Sequence, residues 1–347
     1  MILSSKQYKL LIVERNNEFH GVNLSEMDIM GRTSIEWVKK IDPDCEVVEN
    51  VNVNELCNTV VLYSDMPLVN LEILEQISIN MEELGINNAE LPCGWIIGKK
   101  GENFSKIDGF NDVCCRVKDS KTYAYVNRII RERINDRLMS EGVFMTAPET
   151  VYVDDTVIVK EGTIINNNNV LKGATVIGSK VVLGINNELT DTEIGDNTKL
   201  VGVVANQAKV GANTTVGPYA YLRPGAVVGD NCKVGDFVEI KNSNVLSGAK
   251  VPHLAYVGDA DVGHKVNVGC GVIFANYDGK KKHRTKVGDN TFLGSNTTLI
   301  APVEVGNNVF IAAGSTIAHS IQDGALVIAR ARETVKEGRA ETYLKKE

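Results

Sequence analysis

From Val153 onward, aliphatic residues recur at a step of six. The first run holds Val153, Val159, Ile165, Leu171, Ile177, Leu183 and Leu189; after a slip come Val204, Val210, Val216, Leu222, Val228, Val234, Ile240 and Leu246. A short run holds Val262, Val268 and Phe274, and a last one Val287, Leu293, Leu299, Val305, Ile311 and Ile317. Glycine follows many of them, as at Gly178, Gly211, Gly235, Gly269 and Gly294. A period of six fits neither the 3.6 or so residues of a helical turn nor the alternation of a free strand; it marks a hexapeptide solenoid. Each flat face takes one hexapeptide, the aliphatic side chain points into a stacked core, and the small residue beside it lets the backbone turn. A β-sandwich would need strict alternation and turns roughly every 8–12 residues, which the unbroken count makes improbable.

The first 145 residues follow another grammar. Apolar runs such as "KLLIVE" and "NTVVLYSD" alternate with helix-like segments such as "TSIEWVKKI" and "NRIIRERINDRLMSEG". This predicts a small α/β domain over 1–124 and a linker helix within 125–145, running from Tyr125 to Gly142 with Ile129, Ile130, Ile134 and Leu138 near one face. The solenoid then occupies 146–321, and a charged tail covers 322–347.

A solenoid core leaves little room for chemistry, so function is expected where the count fails. Leu246 to Val262 is sixteen residues, two short of three steps, and contains "KVPHLAYVGDADVG" with His253. Phe274 to Val287 is thirteen, one more than two steps, and contains "NYDGKKKHRT", which reads as an extruded loop. Arg223 of "RPG" and Lys241 of "EIK" sit in the position after a core residue that Gly or Ala often fills, three hexapeptide steps apart. Two long cations one coil apart at one corner suit a phosphate clamp.

Composition narrows the setting. A net charge of −7 argues against a general nucleic-acid binder, so an anionic substrate must be met by local cations such as those of "KKKHRTK". The apolar runs fall short of the ~20 residues a membrane span needs. The N-terminal stretch lacks a small-residue cleavage site, and the expected compartment is the cytoplasm. Seven scattered cysteines without a CxxC pair fit reduced thiols better than disulfides or a zinc site.

"VGPYAYLRPGAVVGDNCKVGDFVEIKNSNV", "HLAYVGDADVGHKVNVGCGVIFANYDGKKKHRTKVG", "FLGSNTTLIAPVEVG", "IAAGSTI" and "ALVIARARETVKEG" resemble one family. It is the bifunctional bacterial N-acetylglucosamine-1-phosphate uridyltransferase/glucosamine-1-phosphate acetyltransferase family, matched in its C-terminal half from about Asn127 to Gly338. The resemblance implies an all-β left-handed parallel β-helix after an α/β, truncated nucleotidyltransferase-like (Rossmann-like) domain. It implies a homotrimer with active sites between subunits and acetyl transfer from acetyl-CoA to the amine of glucosamine-1-phosphate, in UDP-GlcNAc and peptidoglycan precursor synthesis, with no metal required.

That chemistry needs a base titrating near neutral pH, for which His suits. Of five histidines, His253 alone lies at a break and matches the family's catalytic histidine. Glu239 is expected as an orienter or sugar ligand. By resemblance Arg223, Lys241, Tyr256, Asn267, Asn276 and Lys282 meet the sugar phosphate, while Cys270, Tyr277, Ser295, Ala313 and Arg330 meet the coenzyme. Direct attack on the thioester is expected, with Cys270 a small groove-lining residue rather than a nucleophile. A related amino sugar as acceptor, or a non-catalytic sugar-nucleotide-binding or scaffold partner, remain as alternatives.

In the first half, "MGRTSIEWV", "VVLYSDMPLV" and "CGWIIGKKGENFSKI" resemble fragments of the family's nucleotidyltransferase domain, but its Gly-rich phosphate loop is missing. "KLLIVERNNEFHGV" stands there with only Gly21, too few glycines for a backbone cradle. Asp65 matches the family's magnesium-binding aspartate and is a candidate vestigial ligand; its Asn partner is replaced by Val126 or displaced to Asn127, and the Arg of a "GR" pair has become Trp95. Loss of uridyl transfer is the expectation.

Overall fold

The structure is a computed structural model that describes residues 8–15 and 17–344; the start of the N-terminal stretch read for a cleavage site lies outside them. The chain divides into two compact units, one of residues 1–158 with 170–175, the other of 159–169 with 176–347. Among the described residues no helix is long and apolar enough to cross a membrane.

The first unit is built on a six-stranded mixed sheet. Its strands are β1 (Lys9–Val13), β2 (Glu46–Val48), β3 (Thr59–Tyr63), β4 (Asn88–Leu91), β5 (Gly94–Ile97) and β6 (Ser105–Lys106), in the order β2-β1-β3-β5-β4-β6. β1 runs parallel to both β2 and β3, and β5 antiparallel to β3 and β4. β1 and β3 are near-continuous apolar runs because both faces of these strands are covered. One side packs against α1 (Ser34–Lys39) and α2 (Leu71–Glu83) through Val38, Leu74, Ile77 and Met81; the other packs Val61 and Ile97 under Trp95 and Phe104. Gly21, the lone glycine of the altered loop, turns a two-strand hairpin of Glu18–Phe19 and Val22–Asn23 at φ 78°.

The expected linker helix is α3, Ser120–Ser140, beginning five residues before Tyr125. The reason is its cap: the Asp119 carboxylate accepts from Thr122 N at 2.8 Å, and Thr122 Oγ1 accepts in return from Asp119 N at 3.0 Å. Its buried stripe is Val126, Ile130, Ile134 and Leu138, so Val126 takes the place foreseen for Ile129.

The second unit is the parallel β-helix expected from the period of six, left-handed as the family resemblance implied. Two- to four-residue strands stack into three parallel sheets, each strand pairing with its counterpart one coil on. On the first face Tyr221, Glu239, Tyr256 and Ile273 lie one above another, with Leu222, Ile240, Val257 and Phe274 behind them in the core. Phe274 is wholly buried, and truncating such a side chain to Ala costs about 3–5 kcal/mol. Buried threonines satisfy the corners: Thr163, Thr198 and Thr291 each donate to the carbonyl of a glycine one coil on, Gly178, Gly211 and Gly306.

Two core positions differ from the count. Ala205, not Val204, faces inward, and Val245, not Leu246; Val204 is 43% and Leu246 41% exposed. Val228 pairs with Val245 and Val245 with Val262. The sixteen-residue gap is therefore two successive coils, each one residue short, rather than one coil two residues short. The second of these shortened coils carries His253.

Candidate active site

His253 ends the strand Lys250–His253, and its register partner on the coil before is Asp236. His253 Nδ1 lies 2.7 Å from Asp236 Oδ1. A carboxylate only accepts, so Nδ1 carries the proton of that bond, and in the neutral ring it is Nε2 that presents a lone pair. The imidazole in turn holds the Asp236 carboxyl below the usual carboxylate range. Sequence reading missed Asp236. Glu239, foreseen as an orienter or sugar ligand, is not the partner of His253 in that bond; its carboxylate meets Arg223, Oε1 accepting from Nη1 at 2.7 Å.

Four of the five residues foreseen for the coenzyme form a file with this pair along one corner of the helix. Cys270 stands three residues beyond Asn267 as His253 stands three beyond Lys250, the partner of Asn267. Asn296 N donates to Cys270 O and Gly314 N to Ser295 O, each at 2.8 Å, so that Ser295 and Ala313 continue the file. Arg330 closes it, its Cδ 3.9 Å from where a Cβ on Gly314 would stand. Gly294 keeps the coils close: a Cβ there would meet Ala313 N at 2.4 Å. The result is a file of small side chains with a guanidinium at one end and an imidazole near the other. The fifth, Tyr277, lies in the loop, its hydroxyl donating to Gly279 O at 2.8 Å.

The opposite corner of the first face carries the cations. Arg223 and Lys241 occupy successive coils, since Tyr221 pairs with Glu239 and Arg223 N donates to Ile240 O. The Arg223 guanidinium folds back to 5.8 Å from the Tyr221 ring. Lys241 meets Lys282 from the loop, and that second ammonium, more than burial, pushes the Lys241 amine below the ordinary lysine range. Two ammonium groups brought together, with Asp259 offsetting them only in part, suit an anion.

Between the corners, Tyr256 accepts from Asn276 Nδ2 through its hydroxyl at 3.3 Å. Asn276 Nδ2 also donates to Asp259, whose other oxygen accepts from Asn242 Nδ2 at 2.6 Å. Gly258 has a steric reason: a Cβ there would stand 2.3 Å from the Tyr256 hydroxyl oxygen. Asn267 lies on the neighbouring face, paired with Lys250 and Phe292.

The loop foreseen between Phe274 and Val287 is a closed hairpin, in which Tyr277 bridges Lys282 and His283 N donates to Asn276 O at 2.8 Å. Asp278 accepts from the backbone N–H groups of Lys280 and Lys281 and faces His283 Nε2 at 2.7 Å. The Lys281 amide first, and His283 next, hold its carboxyl down at about 2. Arg284 pins the base of the hairpin to the Asp261 carboxylate and to the Asn242 and Ala260 carbonyls. Neither Asp278 nor Arg284 stood out in the sequence, where Arg284 was one more cation of "KKKHRTK".

Comparison with known proteins agrees with the part of the chain that carries this site. Residues 204–321 match the family model of the GMPPB C-terminal domain. The chain is 46% identical over 234 residues to the bifunctional protein GlmU of Clostridioides difficile, covering 67% of this chain and 50% of that protein. It is 39% identical over 308 residues to the bifunctional protein GlmU of Clostridium novyi, covering 87% and 65%. The UDP-N-acetylglucosamine acyltransferase of Francisella novicida is similar with a TM-score of 0.29 and 18% identity, over 50% of this chain and 67% of that one. The chain thus belongs with the bifunctional GlmU proteins, spanning about half the length of most of the relatives it matches.

Proposed function

We infer that this chain transfers the acetyl group of acetyl-CoA to the amine of glucosamine-1-phosphate. The observation that carries the reading is the Asp236–His253 pair set in file with Cys270, Ser295, Ala313 and Arg330 along one corner. The amine nitrogen attacks the thioester carbonyl carbon while its proton passes to His253 Nε2. The carbon–nitrogen bond forms, the tetrahedral intermediate collapses, the carbon–sulfur bond breaks, and the imidazolium returns the proton to the departing thiolate. Asp236 holds the imidazole in the reactive tautomer and steadies the imidazolium. A backbone N–H of this corner would suit the developing oxyanion, and Arg330 would suit the coenzyme phosphates.

Arg223, Lys241 and Lys282 supply the charge for the sugar phosphate, with Tyr256 and Asn276 facing the ring and Glu239 exchanging its hold on Arg223 for a sugar hydroxyl. Assembly as a homotrimer, implied by the family, has support in Tyr219, Phe237 and Leu254. These are bulky apolar residues at left-handed φ (57°, 54° and 43°), 64%, 59% and 56% exposed, where other corners of this chain mostly use Asn. A contiguous exposed apolar ladder suits burial against a second copy. A cytoplasmic setting follows from the substrates.

A panel of acceptors tests the substrate. With acetyl-CoA as donor, glucosamine-1-phosphate should exceed glucosamine and nucleotide-linked amino sugars in kcat/KM. Equal use of the unphosphorylated sugar would move the reading to another amino-sugar acetyltransferase, and failure of every acceptor would leave a non-catalytic binding role.

A further inference from the structure

Asp65 follows β3 at the carboxyl ends of the parallel strands β1 and β3, where open α/β sheets take their ligands. Its side chain is 1% exposed. A carboxylate so buried requires a compensating charge. Oδ2 accepts from Arg116 Nε at 2.8 Å and from Asn17 Nδ2 at 2.7 Å. The cluster is closed on itself: Arg116 Nη2 reaches Asn17 Oδ1 at 3.4 Å, Asn17 Nδ2 donates to Val117 O at 3.1 Å, and Val117 N donates to Asp65 O at 2.9 Å. Arg15 and Ser25, from the segment that stands where a Gly-rich loop would, seal the strand end through Ser64 Oγ and the Arg15 carbonyl.

This arrangement does not fit a magnesium ion at Asp65. A hard divalent cation needs several free oxygen ligands in near-octahedral array. Here one carboxylate oxygen is committed to two N–H donors, and a guanidinium would repel a second cation at that range. Neither candidate for a second ligand helps: Asn127 donates to Tyr123 O one turn back in α3, and Val126 is core. Among the described residues no group of three or more His, Cys, Asp or Glu is disposed to hold a metal.

We propose that Arg116 is the resident cation of Asp65, standing where a metal-dependent enzyme would need its metal, so that this crevice takes no divalent ion and serves as an internal tie between β3 and the segment before α3. Asp65 Oδ1 is buried and without a hydrogen-bond partner, so the guanidinium is what offsets the charge of this carboxylate. The idea is independent of acetyl transfer, whose assay would be unaffected by its failure.

The test uses the full chain and Mn²⁺ as probe, followed by electron paramagnetic resonance and by thermal denaturation. The wild type should bind no Mn²⁺ in a saturable way that Asp65→Asn abolishes; such binding would overturn the proposal. Arg116→Met should melt at lower temperature, because it leaves the Asp65 carboxylate buried without its cation, and the Arg116→Met/Asp65→Asn double variant should recover part of that loss. An unchanged melting temperature in Arg116→Met, or a double variant no more stable than Arg116→Met, would count against it. Should Arg116→Met fail to fold, the comparison of wild type with Asp65→Asn decides alone.

Discussion

Asp236 and His253 are register partners on adjacent coils, seventeen residues apart, with Oδ1 and Nδ1 at 2.7 Å. On the proposed reading the pair is a positioning carboxylate and a base, and the two should separate in kinetics. Asp236→Asn keeps shape and loses charge; kcat should fall about 10- to 10²-fold with KM for both substrates little changed, short of the roughly 10²–10⁴-fold that a general base supplies. Steady-state kinetics decide it, and an effect confined to KM would contradict the role given to Asp236.

Lys241 offers a pH test. Its amine is depressed by Lys282, so it loses its proton at lower pH than an ordinary lysine, near 10.4. The attraction it exerts on a phosphate is complete well below its depressed value and fades as pH rises through it. In Lys282→Met the depression is relieved, so KM for the phosphorylated acceptor should be higher at neutral pH but begin its alkaline rise at higher pH than in the wild type. A parallel displacement of the whole profile would contradict the coupling.

Gly258 leaves room for the Tyr256 hydroxyl, which would stand 2.3 Å from an added Cβ. Gly258→Ala should displace that ring and loosen Asn276, which donates to it. Activity should drop about tenfold or more, in line with the cost of misplacing a substrate-orienting group, while circular dichroism keeps the β-helical signal.

Phe237 stacks on Tyr219 with ring centroids 5.5 Å apart at a corner exposed in the single chain. Phe237→Asp should convert an assembled species to monomer in analytical ultracentrifugation and take acetyl transfer with it. A monomeric wild type, or an active monomeric variant, would remove the assembly from the reading.

How much of this could be read from the sequence depended on register. The six-residue count gives the β-helix and puts Arg223 and Lys241 at one corner, because three steps make a coil and the eighteen-residue step between them falls before the first shortening takes effect. The same count misses Asp236. Eighteen residues before His253 stands Gly235, and only the one-residue shortening of that coil brings Asp236 into register. Shortening also decides which of two neighbouring aliphatics turns inward, hence Ala205 for Val204 and Val245 for Leu246, since a slip of one residue exchanges the two faces of a strand. Arg116 was illegible for a different reason: it reaches Asp65 across 51 residues from a segment without periodic pattern. A tertiary ion pair of that kind leaves no trace in spacing.

The most direct measurement is thiol release from acetyl-CoA with glucosamine-1-phosphate as acceptor, comparing the wild type with His253→Ala. Steady release by the wild type, cut by about 10²-fold or more in a variant that folds and still binds coenzyme, is the expected result. Release that is absent in the wild type, or that His253→Ala leaves unchanged, would contradict acetyl transfer by this histidine.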